Sequence, residues 1–462
     1  MKIAICASEV VPFAKTGGLA DVAASLPVAL QKQGHEAIII MPGYREIEAK
    51  KFKIKRLNDD ISYCLTEDDI KVYFIENQQY FNRKGLYQDE FGDYGDNLER
   101  FSFYCRKALS LLKEVNFSCD IIHLHDWQAS LIPAYLKSIC SKDKFYSNMR
   151  TLLTIHNIGY QGIFPKEKFP KLNLSWELFN IEGFEFYDNI NLLKGGIAFS
   201  DIINTVSPNY AKEITTPEFG FGLEGLLIKR SRYLYGILNG LDYDIWDPQK
   251  DKHIAFNYSL LKPENKRFNK IALQRDCGLP ILEGAPLFGI VSRLAEQKGF
   301  DILLEAIEDI CKTGSQLVIL GRGDAKYENL LKGYAGRFPD NLSFNIGFDE
   351  ALAHKIYAGS DFFLMPSKYE PCGLGQMIAL RYGAIPVVYK TGGLVDTVNS
   401  KNGFVFSSYN KDSFLKAIKK AASLFADKGK INKLISFAMR YDFSWENSAK
   451  EYIKLYEKAK KR

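Results

Sequence analysis

Short, almost unbroken apolar runs alternate along the chain with longer stretches in which apolar residues recur every three or four positions. In the first half the runs are KIAICA (2–7), EAIIIM (36–41), KVYFIE (71–76), DIIHLH (120–125), TLLTIH (151–156) and DIINTV (201–206). In the second half they are PLFGIV (286–291), QLVILG (316–321), LSFNIG (342–347), DFFLMP (361–366) and IPVVYK (385–390). Such runs read as strands buried on both faces, as in a parallel sheet covered by helices. The stretches 300–313, 325–337 and 350–358 carry the helical period. Two such series predict an α/β fold with two doubly wound parallel-sheet domains. The pattern breaks at ILNGLDYDIWDP (237–248), where Asn-Gly precedes a polar stretch. The predicted domains are therefore 1–240 and 241–442, with a last helix over 443–462 that returns to the first domain and has Ser444 as its cap.

Composition agrees and removes some functions. A length of 462 residues suits two domains, and 46% hydrophobic with 25% charged residues is ordinary for a soluble globular chain. A net charge of +6 suits an anionic small substrate. There is no long Lys/Arg block beyond the terminal KAKKR, so nucleic acid is not an expected partner. No apolar run approaches the length of a membrane span, so no membrane partner is expected. The opening MKIAICASEVVPF reads as a first strand rather than a leader, because its apolar run is short and Glu9 follows. The eight cysteines show neither Cys-x-x-Cys pairing nor His/Cys ligand spacing, which predicts reduced thiols in a cytoplasmic enzyme without a zinc centre.

One short motif occurs twice. KTGGLADV (15–22) and KTGGLVDT (390–397) share six of eight letters, and each follows a predicted strand. A glycine-rich turn into a helix offers backbone N–H groups to a phosphate. Two such turns facing one cleft would hold a diphosphate from both sides; the alternative is that each Gly-Gly serves only a tight turn. SRLAEQKG places Arg293 just past a strand and Lys298 five residues on, two fixed cations suited to an anionic group; two surface cations at a helix entrance is the alternative reading. Glu370 lies in EPCGL, where a helix dipole partner is the alternative reading. Asp126 in HLHDW and His156 in TIHN each stand at a strand end. Asp242-x-Asp244 has the spacing of a metal–diphosphate motif, but it lies at the domain junction and the cations already supply neutralisation.

Taken in order, ASEVVPFAKTGGLADV, HLHDWQ, TIHNIGYQG, TVSPNYAKEI, GILNGLDYDIWDP, VSRLAEQKGFDIL, MPSKYEPCGLGQMIALRYGAIPVV and TGGLVDTV cover nearly the whole chain. Together they resemble the bacterial glycogen synthases and plant starch synthases, retaining GT-B glycosyltransferases that use ADP-glucose. The resemblance implies two facing Rossmann-like domains with an interdomain cleft. It implies transfer of glucose from ADP-glucose to the non-reducing 4-OH of an α-1,4-glucan, with no cofactor and no metal. By position it puts Arg293 and Lys298 on the diphosphate, with Lys15 a third cation and Thr391, Gly392 and Gly393 as N–H donors. It puts Glu370 on the donor glucose and His156 beside the reacting carbon, with Asp126 on sugar hydroxyls. Thr16, Gly17, Gly18, Asn239, Cys372, Gly373 and Leu374 are implied as substrate contacts, and Asp21 is implied to hold the glycine loop or sugar hydroxyls. Tyr94 is implied to touch sugar or base, with simple packing as the alternative. Many retaining GT-B enzymes carry a second Glu eight residues after the first; Ile378 stands there, which fits the glycogen synthase branch and leaves the ribose contact unassigned. Neighbouring readings are a UDP-glucose or sucrose-synthase-like transferase and a non-catalytic glucan-binding regulator; oligomeric state is open.

Overall fold

The run EAIIIMP becomes the strand Glu36–Pro42, whose residues from Ala37 onward are all buried. Continuous burial on alternating sides is possible only where helices cover both faces. The computed structural model describes residues 1–462 and divides into two units, Met1–Gly240 with Trp445–Arg462, and Leu241–Ser444.

In the first unit a nine-stranded sheet runs 234–236, 202–205, 150–155, 121–125, 2–6, 36–42, 71–75, 61–65 and 55–56. The strands are parallel up to Lys71–Ile75, and Ile61–Leu65 and Lys55–Arg56 add an antiparallel edge. Strand Lys2–Cys6 pairs with Glu36–Pro42 on one side and with Ile121–His125 on the other. The chain therefore reverses its direction of travel across the sheet beside Lys2–Cys6. Ligands of doubly wound sheets bind beyond the carboxyl ends of strands at such a point.

The second unit repeats this plan with six parallel strands in the order 342–346, 316–321, 287–291, 362–365, 385–389, 404–406. Its reversal lies between Leu287–Val291 and Phe362–Met365, which are in register at Phe288↔Phe362. The helix Phe300–Lys312 buries Phe300, Leu303, Ala306, Ile307, Ile310 and Cys311, a stripe of one helical face. The last helix, Trp445–Lys460, turns Trp445, Ala449, Tyr452, Leu455 and Tyr456 inward against the first unit. Its Tyr456 hydroxyl lies 2.8 Å from His123 Nδ1, tying it under the central strands. All eight cysteines are free thiols, and no helix is long and apolar enough to cross a membrane.

Candidate active site

Each unit places one set of candidate residues beyond the carboxyl ends of its central strands. In the first unit Lys2–Cys6 leads into Ser8 and Glu9, then loops to Lys15–Gly18, where the helix Gly18–Lys32 begins. Glu9 is buried and organises this loop. Its carboxylate accepts the backbone N–H groups of Thr16 and Gly17, the Thr16 hydroxyl at 2.7 Å and the Tyr87 hydroxyl at 2.7 Å. This corrects two expectations. The Thr16–Gly17 backbone is held by Glu9, Asp21 reaching the loop only through the Lys15 side chain, and the N–H groups of Thr16 and Gly17 already have an anionic partner. Asp21, half-buried, accepts the ammonium of the exposed Lys15 at 2.7 Å. Burial raises the Asp21 carboxyl above its ordinary range even though the Lys15 charge opposes the shift. Sequence reasoning missed Glu9 because its role depends on a fold-back of seven residues; the available signal was a lone carboxylate just past the first strand.

Strand Ile121–His125 delivers Asp126 in a left-handed conformation, φ 56°. The turn aims its carboxylate at the backbone N–H of His156, 2.7 Å away. Burial pushes the Asp126 carboxyl up to about 7; the His156 N–H lowers it and the Glu9 charge raises it further. His156 packs its ring on His125, with Nε2 2.8 Å from His125 Nδ1. His123 stacks on His125 at 4.3 Å between ring centres. Burial lowers His123 and His156 to about 3 and His125 well below its ordinary value, so all three rings are neutral near pH 7. A neutral His156 can accept or donate one hydrogen bond but cannot supply a cation. Neither His123 nor His125 was singled out from sequence, although the alternation in HLH marks both as facing one side.

One implied contact of this unit, Tyr94, is otherwise engaged. The Tyr94 ring lies 5.0 Å from the Arg83 guanidinium and 4.9 Å from that of Arg100, and its hydroxyl donates to the Lys84 carbonyl. Packing is therefore what Tyr94 does in this structure. Asn239 is buried, and its Oδ1 has no protein partner.

In the second unit the turn Glu296–Lys298 follows strand Leu287–Val291, and Gly299 closes it with φ 78°. A Cβ on Gly299 would stand 2.1 Å from the Pro366 carbonyl oxygen, so only glycine permits this approach. The turn is stitched to the segment beyond strand Phe362–Met365: Lys368 N–H donates to the Gln297 carbonyl at 2.9 Å, and Gln297 Nε2 to the Tyr369 carbonyl at 3.2 Å. These bonds bring Lys298 Nζ to 2.6 Å from Glu370 Oε2, which also accepts the Ser367 hydroxyl at 3.1 Å. Both side chains are largely buried, 20% exposed for Lys298 and 8% for Glu370. Glu370 is not a helix cap, because the next helix starts at Gly375 with Leu374 before it. Arg293, at the end of the neighbouring strand, is exposed and forms no ion pair.

The second Gly-Gly copy differs from the first. Gly392 has φ 44°, and a Cβ there would stand 1.9 Å from the Glu370 carbonyl oxygen; one on Gly393 would stand 2.2 Å from that of Cys372. Gly393 N–H donates to the Glu370 carbonyl at 3.0 Å and Thr391 N–H to the Tyr389 carbonyl at 3.0 Å. The N–H groups expected as donors at Thr391 and Gly393 are thus bonded within the protein: Gly393 holds the Glu370 backbone, and Thr391 closes back on Tyr389. What remains is the Thr391 hydroxyl, buried with no protein partner. Gly373, with φ 75°, and Cys372 present carbonyls to Gln376 Nε2 at 2.8 and 3.0 Å, shaping the turn before Leu374. Around Gly17 and Gly18, by contrast, nothing lies within 4 Å of a built Cβ.

Asp242 accepts the Asp244 N–H at 2.8 Å, and Asp244 pairs with the exposed Lys250.

The buried Asp126 carboxyl yields a pH prediction. An acid whose folded-state value is about 7, against an ordinary value near 4, adds nothing below about pH 4, where both states hold the proton. Between about pH 4 and 7 the unfolded state releases it first, so stability falls by about 1.4 kcal/mol per pH unit. Asp126→Asn should remove this slope. Its melting temperature relative to the parent protein should rise steadily across that window in calorimetry, and parallel curves would refute the assignment.

Comparison with known proteins gives a consistent result. The family described as "Starch synthase catalytic domain" matches residues 2–229, and "Glycosyl transferases group 1" matches 278–433. A glycogen synthase of Geotalea daltonii is 48% identical over 475 residues, covering 99% of this chain and 98% of that protein. One from Thermosipho melanesiensis is 46% identical, with 99% of each chain covered. Among solved structures, the catalytic domain of starch synthase IV from Arabidopsis thaliana, bound to ADP and acarbose, superposes with a TM-score of 0.90 at 34% identity, covering 100% of this chain and 99% of that one.

Proposed function

The chain belongs to the glycogen and starch synthase family of GT-B glycosyltransferases, and from that premise we propose that it transfers glucose from ADP-glucose to the non-reducing 4-OH of an α-1,4-glucan with retention of configuration. The observation that carries the proposal is 46–48% identity with glycogen synthases over 99% of the chain. ADP as the nucleotide is favoured by the starch synthase IV structure, which holds ADP.

The chemistry follows from the two sets of residues. Cleaving the bond between the glucose C1 and the diphosphate oxygen builds negative charge on the diphosphate. Lys298, held by Glu370, and the exposed Arg293, both beyond strand Leu287–Val291, would stabilise that charge more in the transition state than in the ground state. Glu370, held by Lys298 and Ser367, would face the glucosyl hydroxyls and offset the positive charge growing at C1. His156 and Asp126 of the first unit would present a neutral imidazole, a backbone carbonyl and a carboxyl to the sugar. With no carboxylate demanded as a nucleophile, a front-face route suits these groups: the acceptor 4-OH attacks from the side on which the diphosphate departs, and the departing phosphate oxygen takes its proton.

The test is direct. Purified protein with glycogen and either ADP-glucose or UDP-glucose should release nucleotide diphosphate and lengthen the glucan, faster with ADP-glucose. Glucan extension without preference for ADP-glucose would leave the transferase class and reject the donor. Turnover should also survive EDTA, because ammonium and guanidinium groups do the neutralising and Asp242 and Asp244 are engaged in local bonds. Loss of turnover on chelation, restored by Mg²⁺, would reject that account.

A further inference from the structure

In the second unit, away from the strand reversal in sequence, the polar stretch after the domain junction folds against the helix Glu350–Gly359. Three side chains meet there. His253, Glu350 and His354 each offer a ligand atom, and these atoms lie within 4.8 Å of one another. Glu350 and His354 are one turn apart on the same helical face, the spacing that lets two side chains reach one point.

The surroundings of His354 point to a ligand. The ring is 1% exposed and stacks on Trp246 at 4.0 Å between ring centres. Its Nδ1 lies 2.7 Å from Asp251 Oδ2, which also accepts the Tyr382 hydroxyl at 2.6 Å. A carboxylate can only accept, so Nδ1 carries a proton, and in the neutral ring the lone pair falls on Nε2. That Nε2 is buried and has no protein partner. A buried polar atom without a partner is costly, and native structures seldom leave one. Asp251 also accepts the His253 backbone N–H at 2.8 Å through its other oxygen, so one buried carboxylate fixes both histidines. A carboxylate that orients a metal-binding imidazole through its far nitrogen is the usual outer support of such sites.

We propose that His253, Glu350 and His354 form a divalent-cation site selective for Zn²⁺-like ions, with solvent as the fourth ligand. Two imidazoles and one carboxylate suit zinc, and the exposed Glu350 leaves the fourth position open to water. Ligand atoms around tetrahedral zinc sit about 3.4 Å apart. His354 is locked by Asp251 and Trp246, so the adjustment falls to His253 and Glu350, which are only partly buried or exposed. The ion would pin the segment around His253 to the helix. It takes no part in glucosyl transfer, so its removal leaves turnover intact.

Titrating the purified full-length chain, free of affinity tag, with Zn²⁺ should show one saturable site per chain, a shift in the fluorescence of Trp246 stacked on His354, and a raised melting temperature. Co²⁺ in its place should give the visible absorption of a tetrahedral site. His354 is buried in its unit, so His253→Ala with Glu350→Gln is the chosen variant. It should fold, lose the metal-dependent rise in melting temperature and bind Zn²⁺ at least about 100-fold more weakly. Absence of a saturable site in the parent chain would overturn the proposal. Unchanged affinity in the double variant would overturn it too, by assigning the metal to other donors such as the free thiols.

Discussion

Lys298→Ala should lower kcat for glucosyl transfer by roughly 10²-fold or more, the cost of removing one preorganised charge from a developing oxyanion. The variant carries a second effect that must be separated from the first. Lys298 Nζ is 2.6 Å from Glu370 Oε2, and the pair is mostly buried. Truncating one partner strands the other charge, at about 3–5 kcal/mol. Lys298→Met with Glu370→Gln removes both charges and should return most of that stability. Turnover should stay low, since the leaving group has lost its cation and the sugar its carboxylate. Recovery of turnover together with stability would mean that neither Lys298 nor Glu370 acts on the substrate. Arg293→Ala supplies the cleaner comparison. Arg293 is exposed and forms no ion pair, so the melting temperature should stay within the small range of surface substitutions. A loss of roughly 10²-fold in kcat is still expected. Native turnover in a normally folded Arg293→Ala would remove it from the diphosphate.

How much of this was legible beforehand depends on the range of the interactions involved. The central parallel strands were readable because burial on both faces forces unbroken apolar runs such as AIIIM and LVIL. The edge strand Ile61–Leu65 was not, since ISYCL has a polar residue inside a short run and pairs antiparallel at the margin. Leu234–Gly236 and Phe404–Phe406 are three residues each, below the length at which periodicity speaks. Arg293, Lys298 and Glu370 could be named from their motifs, but not that Lys298 and Glu370 are bonded. That contact spans 72 residues and depends on Gly299 meeting the Pro366 carbonyl. Glu9 escaped notice because nothing local says that the chain returns to it seven residues later. The His253–His354 cluster is more distant still: Asp251 and His354 are 103 residues apart and share no motif.

The repeated Gly-Gly turn separates letters from contacts most sharply, and substitution should expose the difference. Gly392→Ala should destabilise the second unit by about 3 kcal/mol or more. Its φ of 44° disfavours a side chain, and the new Cβ would stand 1.9 Å from the Glu370 carbonyl oxygen, a backbone atom that cannot swing aside. Relief requires the 370–372 segment to move, which displaces Glu370 from Lys298, so turnover should fall along with stability. Gly17→Ala should behave in the opposite way. Gly17 has φ −150° and ψ −170°, extended backbone open to any residue, and nothing lies within 4 Å of a built Cβ. Stability should hold or rise by about 0.4–1 kcal/mol, because alanine restricts the unfolded chain. Yet if the donor's phosphates approach this loop, as the paired-turn reading of the sequence expects, the methyl group occupies their path, and KM for ADP-glucose should rise about tenfold or more. Calorimetry together with initial rates at varied donor concentration reads both quantities on the same preparations. A Gly17→Ala protein with unchanged KM and kcat would show that no ligand comes close to the first copy. Its glycines would then serve only the turn that Glu9 holds.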